Sequence, residues 1–205
     1  ENMFQEFKRH SEEIGIKSFY IVDSLINGNI KELEHMCDLI IESGLQVCWS
    51  GKASIRRQMT PALLQKMAKA GCTGMDYGLE SGSPQVVKDM RKGFDMETAR
   101  RVIRDTHEAG IIVGLFMIAG FPTETEEYFL ESLEFLKEHE PYIHHVTPGY
   151  GMGIQAGSDV QLNQEKYGIF WKNGDWYSEH TTPQIRRDRV ERLREFCKTL
   201  DVQVS

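Results

Sequence analysis

Apolar positions recur along the chain with two alternating periods. Phe4, Phe7 and Ile14 fall on one helical face that stops at Gly15, and Phe19-Tyr20-Ile21-Val22 is then a short run of strand-forming residues. From Ile30 the helical spacing returns as Leu33, Met36, Cys37, Ile40 and Ile41, ending at Gly44. Leu45-Gln46-Val47-Cys48-Trp49 reads as the next strand. Thr60 caps a helix that has Pro61 in its first turn and ends at Gly71. Gly74 to Leu79 is a strand, Ser83-Pro84 opens a short helix ending near Gly93, and Asp95 caps a longer one ending at Gly110. Ile111 to Ile118 is the most apolar strand, Thr123 or Thr125 opens a helix to about His139, and Ile143 to Thr147 is a further strand. After an irregular stretch, Thr182-Pro183 starts a final helix with Val190, Leu193, Phe196, Cys197 and Leu200 as its inner face.

Several helices close on a small residue followed by glycine: Ser43-Gly44, Ala70-Gly71 and Ala109-Gly110. Each glycine suits the left-handed position that lets the chain leave the helix for a strand. Helix and strand thus alternate through short loops, the signature of an α/β fold with a parallel sheet covered by helices. About five strands are visible, and a right-handed row of such units is an open doubly wound sheet or an arc of a barrel. Periodicity leaves both open. In residues 151–205, Asn173-Gly174 stands between Ile169-Phe170-Trp171 and Trp176-Tyr177, which predicts a hairpin with a two-residue turn. Trp171 or Trp176 is expected to cover apolar surface there.

Composition narrows the classes. Hydrophobic residues make up 40% and charged residues 27%, the balance of an ordinary globular protein, and no apolar run is long enough for a membrane span. The net charge of −7 argues against an electrostatic nucleic-acid binder. The start, Glu1-Asn2-Met3-Phe4-Gln5, lacks the features of a signal peptide and is read as lying inside a longer, cytoplasmic polypeptide. Cys37, Cys48, Cys72 and Cys197 stand far apart without a CxxC or CxxxCxxC. They are expected to be buried, reduced thiols, and no metal ligands are assigned among them.

In either architecture ligands bind at the C-terminal ends of the strands. There the sequence places Asp23-Ser24, then Ser50, Lys52 and Arg56, then Glu80-Ser81-Gly82-Ser83. Gly120 to Thr125 and Pro148-Gly149-Tyr150-Gly151 follow the later strands. Asp23 and Glu80 are carboxylates suited to a ligand's amino group or sugar hydroxyls. Loop capping by Asp23, and an ion pair of Glu80 with a nearby basic residue, are the structural alternatives. Ser81-Gly82-Ser83 reads as an N-cap or an anion site. His144 and His145 face opposite sides of a strand and are not read as joint ligands of one metal. The final helix carries Arg186, Arg187, Arg189, Arg192 and Arg194 among Asp188, Glu191 and Glu195, a pattern read as a solvated, salt-bridged face.

Three stretches together carry a family resemblance: Phe19 to Gly28; Tyr77-Gly78-Leu79-Glu80-Ser81-Gly82-Ser83 with Met90-Arg91-Lys92-Gly93; and Ile118-Ala119-Gly120-Phe121-Pro122-Thr123-Glu124-Thr125. They resemble the radical S-adenosylmethionine (SAM) superfamily, in the branch that often carries an upstream cobalamin-binding domain. The match is strong over about residues 1–150 and looser beyond. It implies a partial TIM-type (β/α) barrel with about five of six β/α units in residues 1–150, units 2 to 6. Residues 151–205 are then a C-terminal extension with the hairpin and last helix. It also implies SAM, a [4Fe–4S] cluster and, in the parent protein, cobalamin.

The cluster-binding CxxxCxxC is absent, so its ligands are expected upstream of residue 1, on a cluster-bearing partner segment. The resemblance further implies that Asp23 and Ser24 hold the SAM amino group. Glu80 lies near the ribose and carboxylate, Lys92 pairs with the carboxylate, Ile118 and Gly120 pack on adenine, and Tyr150 makes a backbone contact to it. The implied function is reductive cleavage of SAM to start radical chemistry on a small-molecule or lipid-like substrate, with the 205 residues alone inactive. A carboxylate- or metal-dependent barrel hydrolase or lyase using Asp23, Asp76 and Glu80, and a binding module that lost its cluster, are the alternatives.

Overall fold

Short polar side chains set where the helices begin in the computed structural model, which describes residues 2–23, 25–149 and 152–204. The chain forms two compact units, residues 1–78 with 97–114, and residues 79–96 with 115–205.

The first unit holds α1 (Asn2–Ile14), β1 (Ser18–Ile21), α2 (Ile30–Ser43), β2 (Cys48–Ala53), α3 (Pro61–Lys69) and most of β3 (Cys72–Glu80). α4 (Pro84–Asp89) belongs to the second unit. The first then takes up α5 (Met96–Glu108) and the start of β4 (Ile112–Met117). The Asn29 carboxamide accepts from the amides of Lys31 and Glu32 and opens α2, and the Thr60 hydroxyl accepts from Leu63 N and opens α3. Each such cap stabilises its helix by about 0.5–2 kcal/mol. Gly44, Gly71 and Gly110 have φ of +69°, +88° and +80°, the left-handed exits expected of them. β1 pairs with β2 and β2 with β3, both parallel. Trp49 and Tyr77 are wholly buried, and their polar tips are satisfied by Ala70 O at 2.9 Å and Thr106 Oγ1 at 2.9 Å. Large aromatics therefore fill the core without stranding a donor.

The second unit continues with α6 (Glu126–His139), β5 (His145–Pro148), α7 (Asp159–Leu162), β6 (Phe170–Lys172), β7 (Asp175–Tyr177), α8 (Pro183–Thr199) and β8 (Gln203–Val204). Thr125, not Thr123, caps α6 by accepting from Tyr128 N; the Thr123 hydroxyl donates instead to Asp89. β6 and β7 pair antiparallel through Phe170↔Tyr177 and Trp171↔Trp176, about a turn with φ of +52° at Asn173 and +79° at Gly174. Trp176 is the tryptophan that covers apolar surface, and Trp171 is half exposed. In strand order the main sheet is β1-β2-β3-β4-β5-β8.

Several expectations are corrected. The second strand is Cys48–Ala53 rather than Leu45 to Trp49. It alternates, with Trp49, Gly51 and Ala53 buried while Ser50 and Lys52 stay part exposed, so no continuous apolar run marks it. Cys48 begins this strand and is exposed, not buried. Ile14, the last residue of α1, is exposed. β8 is two residues long and carries no pattern of its own; it follows Val202, and Gln203 N donates to His144 O at 2.9 Å. Arg186 and Arg189 of α8 are buried, at 7% and 4% exposure, so this helix does not present all its arginines to water.

Candidate active site

β3 has one face in the core, Met75, Tyr77 and Leu79, and leaves Gly74, Asp76, Gly78 and Glu80 part exposed on the other. Parallel strands are ordinarily apolar on both faces, so a polar, glycine-rich face marks where ligands can approach. Glu80 ends the strand with φ of +69°, a left-handed conformation that costs a residue with a Cβ roughly 1–2 kcal/mol. Such a cost persists where the surroundings hold it and is common at functional sites. The holding groups are visible in the second unit. Glu80 O accepts from Ile118 N at 2.8 Å, and Glu80 Oε1 stands 3.1 Å from Lys92 Nζ. The two side chains are 18% and 27% exposed, dry enough for a firm ion pair and open enough to reach a ligand.

Lys92 reaches back because α4 is short and ends in a left-handed turn. Arg91 has φ of +55° and Gly93 +77°, and Lys92 N donates to Val87 O at 3.3 Å. Arg91 Nη1 donates to Asp159 Oδ1 at 2.9 Å, and the Tyr167 hydroxyl donates to the same Asp159 carboxylate. Phe121 and Tyr167 pack edge to face with Val86 and Val160 beneath this turn.

The loop after β4 is closed by its own glutamate. Gly120 has φ of +86° and its N–H donates to Glu124 Oε2 at 2.7 Å. Arg189 Nη1 donates to Glu124 O at 2.8 Å and to Glu124 Oε2 at 3.1 Å, while its Nε lies 3.6 Å from Glu126 Oε2, beyond hydrogen-bond reach. Burial pushes the Glu124 carboxyl up to about 7, against the Gly120 amide and the Arg189 guanidinium, which favour its charge. Neither Glu124 nor Arg189 was singled out as a partner from sequence. The only signal was the spacing Gly120-Phe121-Pro122-Thr123-Glu124, which places a carboxylate four residues after a tight turn.

Of the seven residues proposed from sequence, Glu80, Lys92, Ile118 and Gly120 lie in the second unit. There Glu80 contacts Lys92 by side chain and Ile118 by backbone. Asp23 is exposed in the first unit, on a loop tied down by Asn27. The Asn27 carboxamide donates to Ser54 O at 2.7 Å and accepts from Ser54 N at 3.0 Å. Asp23 borders a cavity of about 420 Å³ with Asn2, Ile26 and Asn29. Ser24 and Tyr150 lie outside the described residues.

Cys37, Cys72 and Cys197 are buried, and Cys48 is exposed at the start of β2. Burial pushes the Cys37 and Cys197 thiols up to about 12 and about 11. Among the described residues no three His, Cys, Asp or Glu side chains are grouped to hold a metal.

Residues 1–136 match the family model described as the radical SAM superfamily. This chain belongs to the radical SAM superfamily. It is 24% identical over 140 residues to the bacteriochlorophyllide d C-12(1)-methyltransferase of Chlorobaculum tepidum, covering 67% of this chain and 30% of that protein. It is 29% identical over 213 residues to the tRNA-2-methylthio-N(6)-dimethylallyladenosine synthase of Protochlamydia amoebophila, covering 98% and 43%. The radical SAM methyltransferase TsrM of Kitasatospora setae, solved with cobalamin and a [4Fe–4S] cluster, superposes with a TM-score of 0.67 at 16% identity, over 83% of this chain and 34% of that one. The chain thus spans less than half the length of these relatives. Its α/β fold is the partial (β/α) barrel type of the superfamily, whose members cleave SAM to start radical chemistry. Membership in this enzyme class replaces the hydrolase or lyase alternative. Among the described residues no helix is long and apolar enough to cross a membrane.

Proposed function

We propose that these 205 residues are the SAM-binding part of a radical SAM enzyme and that its [4Fe–4S] cluster is held by cysteines outside them. The residues present fit SAM and do not fit the cluster. Glu80 and Lys92 would hold the charged methionine end and a ribose hydroxyl by charge-assisted bonds, and the Ile118–Gly120 backbone would form the floor under adenine. Asp23 and Ser24 for the amino group, and Tyr150 for an adenine contact, rest on motif position alone. Residues 1–150 form the barrel portion in this reading and 151–205 its extension.

The observation that carries the reading is Glu80, kept in a left-handed strand end with Lys92 on its carboxylate. A purely structural ion pair would need no such backbone cost. Bound SAM would supply the carbon radical chemistry once the cluster gives it an electron, and Glu80 and Lys92 would orient it. In the full-length parent with its cluster rebuilt, Glu80→Ala and Lys92→Ala should each weaken SAM binding by roughly 1.5–3 kcal/mol. Unchanged SAM affinity by calorimetry in both variants refutes the assignment. The isolated chain should form no 5′-deoxyadenosine from SAM under strong reductant, and catalytic formation would show the cluster lies within it.

Cobalamin is proposed as a further cofactor of the parent, supported by the branch resemblance and by the cobalamin held in TsrM and in the radical enzyme OxsB. The net charge of −7 supports a small-molecule or lipid-like substrate over an RNA, and a cytoplasmic setting is proposed with it.

A further inference from the structure

The Gly120–Glu124 loop is gripped from outside at alternate residues. Arg186 of α8 lies so close over Gly120 that a Cβ there would meet Arg186 Cγ at 2.5 Å and Cβ at 3.2 Å. The hydroxyl of buried Ser178 donates to Pro122 O at 2.6 Å. Arg189 bonds both Glu124 O and Glu124 Oε2. All three gripping residues come from the segment 178–189, and all three are buried.

The grip is itself fixed. The Arg186 guanidinium stacks 3.9 Å from the centre of the Trp176 ring, donates to Trp176 O at 2.9 Å and pairs with Asp175. Trp176 Nε1 donates to Met152 O at 3.1 Å. A guanidinium held by a ring, a carbonyl and a carboxylate has little freedom left, so its alkyl stem is a rigid wall against Gly120. A wall at Gly120 and fixed acceptors at Pro122 and Glu124 leave the loop one backbone path. Gly120, Phe121, Pro122 and Glu124 are themselves buried, so the grip fixes a loop within the fold at the end of β4, the end of the strands at which ligands bind in sheets of this class.

We infer that Ser178, Arg186 and Arg189 are positioning residues of the SAM site, holding the Gly120 loop in the shape that receives adenine. The C-terminal segment is then part of cofactor binding rather than an appendage of the barrel. This rests on the proposal that the Ile118–Gly120 backbone contacts SAM.

The test uses the full-length parent with its cluster rebuilt, nitrogen-15 labelled and titrated with S-adenosylhomocysteine, which carries the adenosine and amino-acid groups. Ser178→Ala, Arg186→Met and Arg189→Lys keep much of the local volume. Each should speed exchange of the Gly120 amide about tenfold and weaken S-adenosylhomocysteine binding by a similar factor, the loss of roughly one hydrogen bond. Cys197→Ala, a cavity in the same helix away from the loop, serves as the control for general loss of stability. It should leave both readings near those of the unaltered chain once stability is matched by temperature. Equal binding in the three variants and the unaltered chain overturns the positioning role and leaves the SAM reading standing. An equal effect of Cys197→Ala also overturns it. Absence of any shift at Ile118 to Glu124 in the unaltered chain overturns the SAM reading and this inference together.

Discussion

Two carboxylate–cation pairs stand in the same unit and behave differently. Glu80–Lys92 and Glu124–Arg189 both close at 3.1 Å. The first leaves 18% and 27% of its side chains in contact with water; the second leaves 1% and 4%. The same bond length therefore serves opposite purposes. A half-wet pair can trade its partner for a ligand's charge at little cost, whereas a dry pair broken on one side strands a charge. Glu124 spends its oxygen on the Gly120 amide and gives shape; Glu80 keeps carboxylate surface open and gives affinity.

The largest effect that would sharpen this contrast is at the dry pair. Above about pH 7, where Glu124 is charged, Arg189→Ala should destabilise the chain by about 3–5 kcal/mol in chemical denaturation, because Glu124 is left buried without its cation. Lys92→Ala should cost under about 1 kcal/mol in the same experiment, since the partner can be solvated. Comparable losses at the two sites would erase the distinction.

Protonation separates the pairs again. Glu124 has its carboxyl raised from the ordinary 4.5 to about 7 by burial. A raised folded-state value means that protonated Glu124 favours folding. Its contribution is complete below about pH 4.5 and is lost as pH rises through about 7. Stability measured across that window should decline with rising pH through this group, and Glu124→Gln should remove that part of the slope. A slope unchanged in Glu124→Gln would place the titration elsewhere.

The smallest effect concerns backbone. Glu80→Gly should recover about 1 kcal/mol of stability by relieving the left-handed conformation, while weakening SAM binding as Glu80→Ala does. A stabilised variant that binds SAM normally would show that the carboxylate is there for the turn alone.

Much of the molecule was legible in sequence because its signals are local. Asn29, Thr60 and Thr182 cap helices through hydrogen bonds two or three residues long, and Asn173-Gly174 turns a hairpin by its own backbone preferences. Glu80 and Lys92 could be paired from their motif because only a short helix separates them. The shifted β2 was not legible: its open face carries Ser50 and Lys52, so its apolar signal is halved. β8 is too short to show any period.

The arginines of α8 are the clearest case of what sequence left undecided. Alternating charges on a helix describe a solvated surface whenever the partners are neighbours on that helix. Arg189 instead finds Glu124, 65 residues earlier, and Arg186 lies against Gly120. By itself the sequence determined most of the helices and strands, the hairpin turn and the family motif, since each rests on bonds a few residues apart. Which charges became buried, which carboxylate stayed open, and which residues hold the Gly120 loop were decided only when distant segments packed and displaced water from one pair but not the other.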